Sequence, residues 1–294
     1  MKRLAVIFLV LVGIAFLAAF FGILAAGHGR GLAGPTVLVW RMDRPVVEQA
    51  AEAFPLSGTT ADSLTVLYPA FRAARSDRGV RGLALYIEST DLGLGKAQEL
   101  RRQLAALRQA GKFVECYLET AGEGSNGTLA YYLATACDHI FMAPSGDFNV
   151  IGLYTQGMFL KGSLEKLKVD PQFHHAGAYK SAAEIFTESR WSAPAEEAIN
   201  AVLDRSFEQI VTAIAQARKL SPEAVRQRID DAPFSAPEAM SRGLIDGLSY
   251  PDEFRARLVQ RSGGRARLTR LQDYGRSAAL GSSGPRIAVV VAQG

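Results

Sequence analysis

The sequence is poor in the residues that build metal centres and disulfide frameworks. Its 294 residues include two cysteines and four histidines, and the cysteines do not have the spacing of metal ligands. Only His174 and His175 are adjacent, and neighbours on a strand point to opposite faces, which disfavours a shared ion. We therefore expect no metal and no cofactor. Cys116 and Cys137 are predicted to be buried free thiols with a structural role.

A large excess of charge of one sign is also missing. The chain has 33 Lys and Arg residues against 29 Asp and Glu residues, a formal net charge of +4. The basic residues are scattered, apart from a modest cluster within 261–270, so the chain lacks the dense basic stripe of a nucleic-acid binder. We expect no nucleic-acid partner. With 48% hydrophobic residues, the composition is that of a folded globular protein.

A long apolar run lies near the N-terminus. Residues 4–27 contain no charged residue, and at about 1.5 Å per residue a helix of this length crosses roughly 30 Å of hydrocarbon. Lys2 and Arg3 precede it, and the positive-inside rule then places the rest of the chain outside the cytoplasm. A cleaved signal peptide is the alternative, but the run exceeds a signal core of about 7 to 15 residues. We predict a transmembrane anchor and hinge over residues 1–30.

Short apolar runs alternate with helical patterns after this anchor. Strands are predicted at 36–40, 83–87, 113–118 and 139–142. The clearest helix between them is predicted over 96–110, where leucines share one face and a glycine follows. Strands that alternate with helices need crossover connections, which produce a mainly parallel sheet with flanking helices. We predict an α/β domain over residues 31–260.

The second half of this domain is predicted to be mostly helical. Ser192, Ser221 and Ser235 are each followed by a helical pattern and suit the N-cap position. Ser235 also has Glu238 three residues later, which is the spacing of a capping box. A short strand is predicted at 244–246.

The last part of the chain is predicted to be a linker followed by a new repeat. Residues 261–284 are rich in Arg, Gly and Ser, which is typical of a linker. Gly284-Pro285 and the apolar run after it repeat the pattern of 34–40. We predict that 285–294 is the start of a truncated second repeat. The alternative is a C-terminal strand that completes the sheet of the first domain.

A serine, histidine and aspartate triad has weak support. Ser125, Asp138 and His139 are the only local candidates. A nucleophile elbow needs glycine two residues before the serine, where this chain has Glu123. We therefore disfavour Ser125 as a nucleophile.

Lys180 is the residue best suited to chemistry. It precedes Ser181 and Glu184, which have the spacing of a capping box at a helix start. A positive charge at that end opposes the helix dipole, and burial would desolvate the amine. Both effects favour a neutral amine that can take a proton from a hydroxyl, as in serine–lysine pairs. On residue chemistry alone, an exposed and solvated lysine is the more common situation.

Four dispersed segments add a family resemblance. They are 131–146, 152–154, 164–169 and Gly177-Ala-Tyr-Lys180-Ser181. Together they resemble the N-terminal half of tandem-domain signal peptide peptidases of the protease IV type. The resemblance implies a ClpP/crotonase-like fold and a serine endopeptidase that degrades residual signal peptides. It also implies that Lys180 is the general base of a serine–lysine dyad whose serine comes from the second half.

The same resemblance predicts that this chain lacks its own nucleophile. Thr128 stands at the position of the family's serine, and the glycine pair that follows the serine in active halves is missing. A hydroxyl nucleophile needs an activating setting, so Thr128 is predicted to be a degenerate site and the chain to be inactive alone. Gly93 and Gly95 correspond to the family's oxyanion loop, although an ordinary strand-to-helix turn also accounts for them.

The resemblance further implies location, partners and assembly. It predicts a single-pass protein of the bacterial inner membrane whose body lies on the periplasmic side. Peptide substrates and a homo-oligomer of ring or bowl shape are expected. The alternative function is a catalytically inactive, membrane-anchored assembly scaffold of the same fold. An acyl-CoA enzyme of the crotonase type is disfavoured by the anchor and by the lack of a cofactor site.

Overall fold

The computed structural model describes residues 34–48, 61–88 and 92–279. Its strands are β1 (Thr36–Met42), β2 (Val46–Val47), β3 (Asp62–Ser63), β4 (Val80–Ile87), β5 (Phe113–Leu118), β6 (His139–Met142), β7 (Asp147–Phe148), β8 (Phe234–Ser235), β9 (Gly247–Leu248) and β10 (Arg267–Arg270). Its helices are α1 (Leu64–Ser76), α2 (Leu94–Gln109), α3 (Thr128–Ala134), α4 (Lys161–Lys166), α5 (Glu184–Thr187), α6 (Ala193–Arg218), α7 (Pro222–Asp231), α8 (Ala236–Ser241), α9 (Pro251–Arg261) and α10 (Leu271–Ala279).

Six strands form one sheet in the order β10-β1-β4-β5-β6-β9, and each neighbouring pair is parallel. The predicted mainly parallel α/β fold is confirmed. β5 and β6 have the predicted bounds, and β1 and β4 include the predicted runs. The strand predicted at 244–246 is wrong by position, because the chain pairs with β6 at Gly247–Leu248.

The predicted linker over 261–284 is wrong for residues 267–279. β10 pairs with β1 in parallel, and Arg267 lies opposite Thr36. α10 then packs on α1, where Gly275 approaches so closely that a Cβ would lie 2.8 Å from the Cβ of Ala70. The folded unit therefore continues past its predicted end at residue 260, through residue 279.

One face of the sheet is covered by α1, α2, α3 and α10. Its core includes Trp40 and Phe71, whose rings meet edge to face at 6.0 Å. Buried Trp40 also donates a hydrogen bond from Nε1 to Asp62 Oδ2 at 2.7 Å, which satisfies the indole and fixes β3 beside the sheet.

The opposite face is covered by α9 over β4, β5 and β6. Phe254 is fully buried, and its ring lies 5.4 Å from Tyr86, 5.2 Å from Tyr117 and 5.6 Å from Phe141. Tyr117 is buried in this cluster, and desolvation raises its pKa to about 12. Among the described helices, α9 alone supplies buried residues to this second core.

A buried carboxylate also holds α9 on the sheet. Glu115 in β5 has no solvent exposure, and Arg261 at the end of α9 donates a hydrogen bond to its Oε1. Arg257 Nε lies 3.4 Å from Oε2, and His139 Nδ1 lies 3.6 Å from Oε1. A buried carboxylate is tolerated when cations surround it, so α9 is tied to β5 by charge as well as by packing.

Cys116 and Cys137 form a disulfide, with their Cα atoms 5.9 Å apart. The prediction of free thiols is therefore wrong. Cys116 lies in β5, and Cys137 lies two residues before β6, the strand that pairs with β5. The sequence alone does not show whether two cysteines are bonded to each other. The parallel register brings these two within bonding distance.

Removing this disulfide should lower the free energy of unfolding by about 2–4 kcal/mol, because the bond closes a loop of 21 residues in sequence separation. We expect this loss in urea unfolding of the C116A/C137A variant. The variant should show the same stability with and without a reducing agent, whereas the wild type should weaken in the reducing agent. Two titratable thiols in unfolded, unreduced wild type would contradict the bond.

No helix in the described ranges 34–48, 61–88 and 92–279 is long and apolar enough to cross a bilayer. The predicted anchor over 1–30 and the predicted repeat start at 285–294 lie outside these ranges.

Candidate active site

The segment that carries Lys180 is an arm, which we define as residues 153–192. It leaves the sheet domain after β7 and returns at the start of α6. Most of its side chains are exposed. Its regular elements are α4, a 3₁₀ turn at Ser181–Ala183 and α5.

The arm has a small core of its own. Phe159 and Trp191 meet edge to face at 5.0 Å, and the ring of Trp191 lies against Gly157, where a Cβ would be 2.2 Å from it. Phe173 and Phe186 stack at 5.5 Å. These contacts join the outgoing and returning segments of the arm, so its shape is fixed although most of its side chains are exposed.

The predicted capping box at Ser181 and Glu184 is wrong. Ser181 begins a 3₁₀ turn, which has no side-chain cap. Glu184 instead accepts hydrogen bonds from Ser192 Oγ at 2.6 Å and Ser192 N at 3.1 Å. These bonds, the side-chain one foremost, hold the pKa of Glu184 below its ordinary value. Ser192 is the N-cap of the long helix α6, as predicted, so Glu184 connects the arm to that helix.

Lys180 is exposed in this chain. Its neighbour Tyr179 donates a hydrogen bond to Glu197 Oε2 at 3.0 Å, which fixes the lysine-bearing segment to the start of α6. That hydrogen bond raises the pKa of Tyr179. The amine of Lys180 has no hydrogen-bond or ion-pair partner among the residues that the structure describes. None of the described residues buries this amine.

Thr128 is fully buried at the first position of α3. Its Oγ1 accepts a hydrogen bond from Gly152 N at 3.0 Å. Asn126 completes the contact: its Oδ1 accepts from Thr128 N at 2.9 Å, and its Nδ2 donates to Gly152 O at 2.6 Å. Thr128 thus joins two loops, and its hydroxyl does not reach a surface where a peptide could approach.

In the loop before α3, backbone segments pack directly against each other. A Cβ at Gly127 would lie 2.0 Å from the carbonyl oxygen of Ala121. Gly122 has a φ of +88°, and a Cβ there would lie 2.4 Å from Gly127 N. Both glycines are required by this close approach.

Gly93 and Gly95 lie at the start of α2, with Gly93 as the N-cap. A Cβ at either position would have no atom of the described residues within 4 Å. Packing among the described residues therefore does not require glycine at these two positions. The assignment of these glycines to an oxyanion loop stays a prediction.

The structure does not bring Ser125, Asp138 and His139 together. Ser125 lies in the exposed loop after the carboxyl end of β5, whereas His139 begins β6 at the opposite end of the sheet. The four residues of β6 span roughly 13 Å. Asp138 is already bound, to Val114 N at 2.8 Å and Arg108 Nε at 2.5 Å.

His174 and His175 are exposed on the arm. Within the described part of the chain, no group of three or more His, Cys, Asp or Glu residues could hold a metal ion.

The sequence matches known peptidases. The profile of peptidase family S49 matches residues 107–264. "Serine protease SPPA, chloroplastic" of Arabidopsis thaliana is 30% identical over 201 residues, which is 68% of this chain and 29% of that protein. "Protease 4" of Salmonella typhi is 28% identical over 211 residues, 69% of this chain and 33% of that protein. The chain therefore spans about a third of the length of these relatives.

Solved structures with similar shape share little sequence. A peptidase from Plasmodium falciparum has a TM-score of 0.37 at 14% identity, over 63% of this chain and 85% of that one. An enoyl-CoA hydratase/isomerase family protein from Silicibacter pomeroyi has a TM-score of 0.37 at 15% identity, over 83% and 79%. Similarity this low does not assign a fold family. The α/β fold is therefore assigned from the parallel sheet alone, and the ClpP/crotonase assignment stays a prediction.

The family profile covers more than half of the 294 residues, including β5, β6, the arm and α9. The predicted resemblance is confirmed. This chain belongs to peptidase family S49 and is related to proteases of the SPPA and protease 4 type.

Proposed function

We propose that this chain is the lysine-bearing N-terminal part of a membrane-anchored serine endopeptidase that degrades residual signal peptides. One observation carries the proposal. The arm presents Lys180 on its surface, while Thr128, at the serine position, is fully buried and hydrogen-bonded. The serine nucleophile must then come from another domain or subunit, which docks on the arm.

The proposed chemistry assigns one role to this chain. A neutral Lys180 amine takes the proton from the serine hydroxyl, and the serine oxygen attacks the peptide carbonyl. The resulting ammonium then gives its proton to the leaving amine. The domain or subunit that supplies the serine has to exclude water from Lys180, because desolvation favours the neutral form of an amine.

The arm has an apolar surface that suits such docking. Tyr154, Met158, Leu167 and Tyr179 are each more than 60% exposed. Exposed apolar patches mark contact or substrate surfaces. We propose that this surface faces apolar peptide substrates and neighbouring subunits of a homo-oligomer.

The disulfide supports a location of the folded part outside the cytoplasm. Disulfides persist in oxidising compartments such as the bacterial periplasm and are rare in the cytosol. The Cys116–Cys137 bond therefore agrees with a single-pass protein of the bacterial inner membrane, anchored by residues 1–30, whose folded part lies on the periplasmic side.

The test uses the intact protein with its downstream half. Lys180→Ala should lower turnover of a fluorogenic signal-peptide substrate by about 10²- to 10⁴-fold, because general-base catalysis contributes that factor. Lys166→Ala is the matched control, since Lys166 is also exposed on the arm. It should leave turnover unchanged.

Two outcomes would redirect the proposal. Turnover near wild type in Lys180→Ala would remove this lysine from catalysis. An intact wild-type protein that assembles but shows no turnover would favour the scaffold function.

A further inference from the structure

Part of the second sheet face is open in the described structure. α9 packs over β4, β5 and β6, but a groove of about 420 Å³ lies over β1 and β10 beside it. The half-buried side chains of Val39 and Leu268 and the ring of Tyr86 form an apolar floor. Pro251 at the start of α9 forms one wall.

The groove has more positive than negative charge. Three guanidinium groups line it, from Arg41, Arg255 and Arg270, against the single carboxylate of Asp252. Within the described residues, neither Arg255 nor Arg270 has a carboxylate partner. An apolar floor with unpaired guanidinium groups at its rim favours a ligand that is apolar at one end and anionic at the other.

Arg41 is held in place before any ligand binds. Its guanidinium lies 4.2 Å from the ring centre of Tyr86, and it pairs with Glu88. A side chain that is already ordered loses little freedom on binding, so Arg41 is a fixed part of the groove beside the floor residue Tyr86.

The neighbouring cleft differs in its charge balance. It holds about 230 Å³, shares Arg41 and Arg270 with the groove, and is lined by three carboxylates. Asp43 lies 3.5 Å from Arg44, Asp273 pairs with Arg276, and Asp62 accepts hydrogen bonds. The four arginines of the cleft face three carboxylates, whereas the three arginines of the groove face one, so the larger excess of positive charge belongs to the groove over Val39 and Leu268.

We propose that this groove binds the carboxyl end of a peptide. The terminal carboxylate binds Arg255 and Arg270, and the last apolar side chain packs on Val39 and Leu268. The site lies at the carboxyl ends of β1, β4 and β10, where open parallel sheets bind ligands. It lies on the opposite sheet face from α3 and does not depend on the peptidase activity.

The test is calorimetric titration of the full chain with the tripeptide acetyl-Ala-Ala-Leu, as the free acid and as the C-terminal amide. The free acid should bind with a Kd of roughly 0.1–1 mM, because the guanidinium groups are exposed. The amide should bind at least about 10-fold more weakly, since it lacks the charge that the arginines recognise.

The variant R255Q/R270Q should weaken binding of the free acid by about 10-fold or more. The control is R72Q/R205Q, which removes the same charge from exposed positions elsewhere and should bind as the wild type does. Thermal unfolding of both variants should match the wild type, because all four side chains are exposed.

Three results would overturn the proposal. They are equal binding of acid and amide, unchanged binding by R255Q/R270Q, and no saturable binding up to about 10 mM peptide. Inorganic phosphate that binds as tightly as the peptide acid would show a simple anion site, in which the apolar floor has no role.

Discussion

An intact enzyme that carries Lys180→Arg should lose turnover by about 10²- to 10⁴-fold while it keeps its fold and its assembly. Arginine retains the positive charge of Lys180 and a similar length. Its guanidinium does not give up a proton in proteins, so it cannot take one from a serine hydroxyl. This substitution separates a need for a base from a need for positive charge.

Steady-state hydrolysis of a fluorogenic peptide measures this loss, and the fall should appear in kcat. Lys166→Arg is the control, because Lys166 is exposed on the same arm and has no proposed role in chemistry. The rate at which a serine-directed phosphonate labels the enzyme should fall in parallel. If the Lys180→Arg enzyme kept more than about a tenth of wild-type kcat, Lys180 would act through its charge and not as a base.

Phe254→Ala should lower the free energy of unfolding by about 3–5 kcal/mol. Phe254 has no exposed surface, and its ring contacts Tyr86, Tyr117 and Phe141 from α9. Truncation removes all three aromatic contacts and leaves a cavity. For a unit of this size, we expect the melting temperature to fall by roughly 6–20 °C.

Urea unfolding of wild type and variant measures the difference. Phe173→Ala is the matched control, since Phe173 is 48% exposed and stacks only on Phe186 within the arm. Phe173→Ala should lower the free energy of unfolding by less than about 1.5 kcal/mol. Equal losses in the two variants would mean that α9 does not hold the second sheet face.

The sequence was most informative where the local signal was complete. β5 and β6 have their predicted bounds because each is an apolar run of strand length bounded by polar or turn residues. The N-caps at Ser192, Ser221 and Ser235 are confirmed, the last with its capping box to Glu238. A serine one position before a helical pattern satisfies a backbone N–H at the helix start, which is a local effect.

The misplaced elements depend on contacts distant in sequence. β10 has exposed arginines at both ends, with Leu268 and Thr269 between them, so its composition suggested a linker, and it pairs with β1, more than 200 residues earlier. The disulfide depends on the register between β5 and β6. Neither pairing leaves a periodic pattern in a short window.

The candidate site was predicted in part. The family resemblance singled out Lys180 and Thr128, whose roles stay predictions, but the hydrogen bonds of Thr128 and Glu184 had no signal in sequence. Thr128 is held by Gly152, which is 24 positions away, and Glu184 prefers Ser192 over the nearer Ser181. Such bonds follow from how the loops cross, and residue spacing alone does not encode this crossing.

The position of α10 decides in which direction the sheet can grow. The connections through α1, α2 and α3 keep their helices on one face, and each moves the chain one strand further from β10. α10 lies on that same face, so a crossover of the usual right hand after it would lead to the place that β1 already holds. Among the described residues, no strand pairs with the outer edge of β10, and Arg267 and Arg270 at its two ends make that edge a charged boundary that discourages pairing with stray strands.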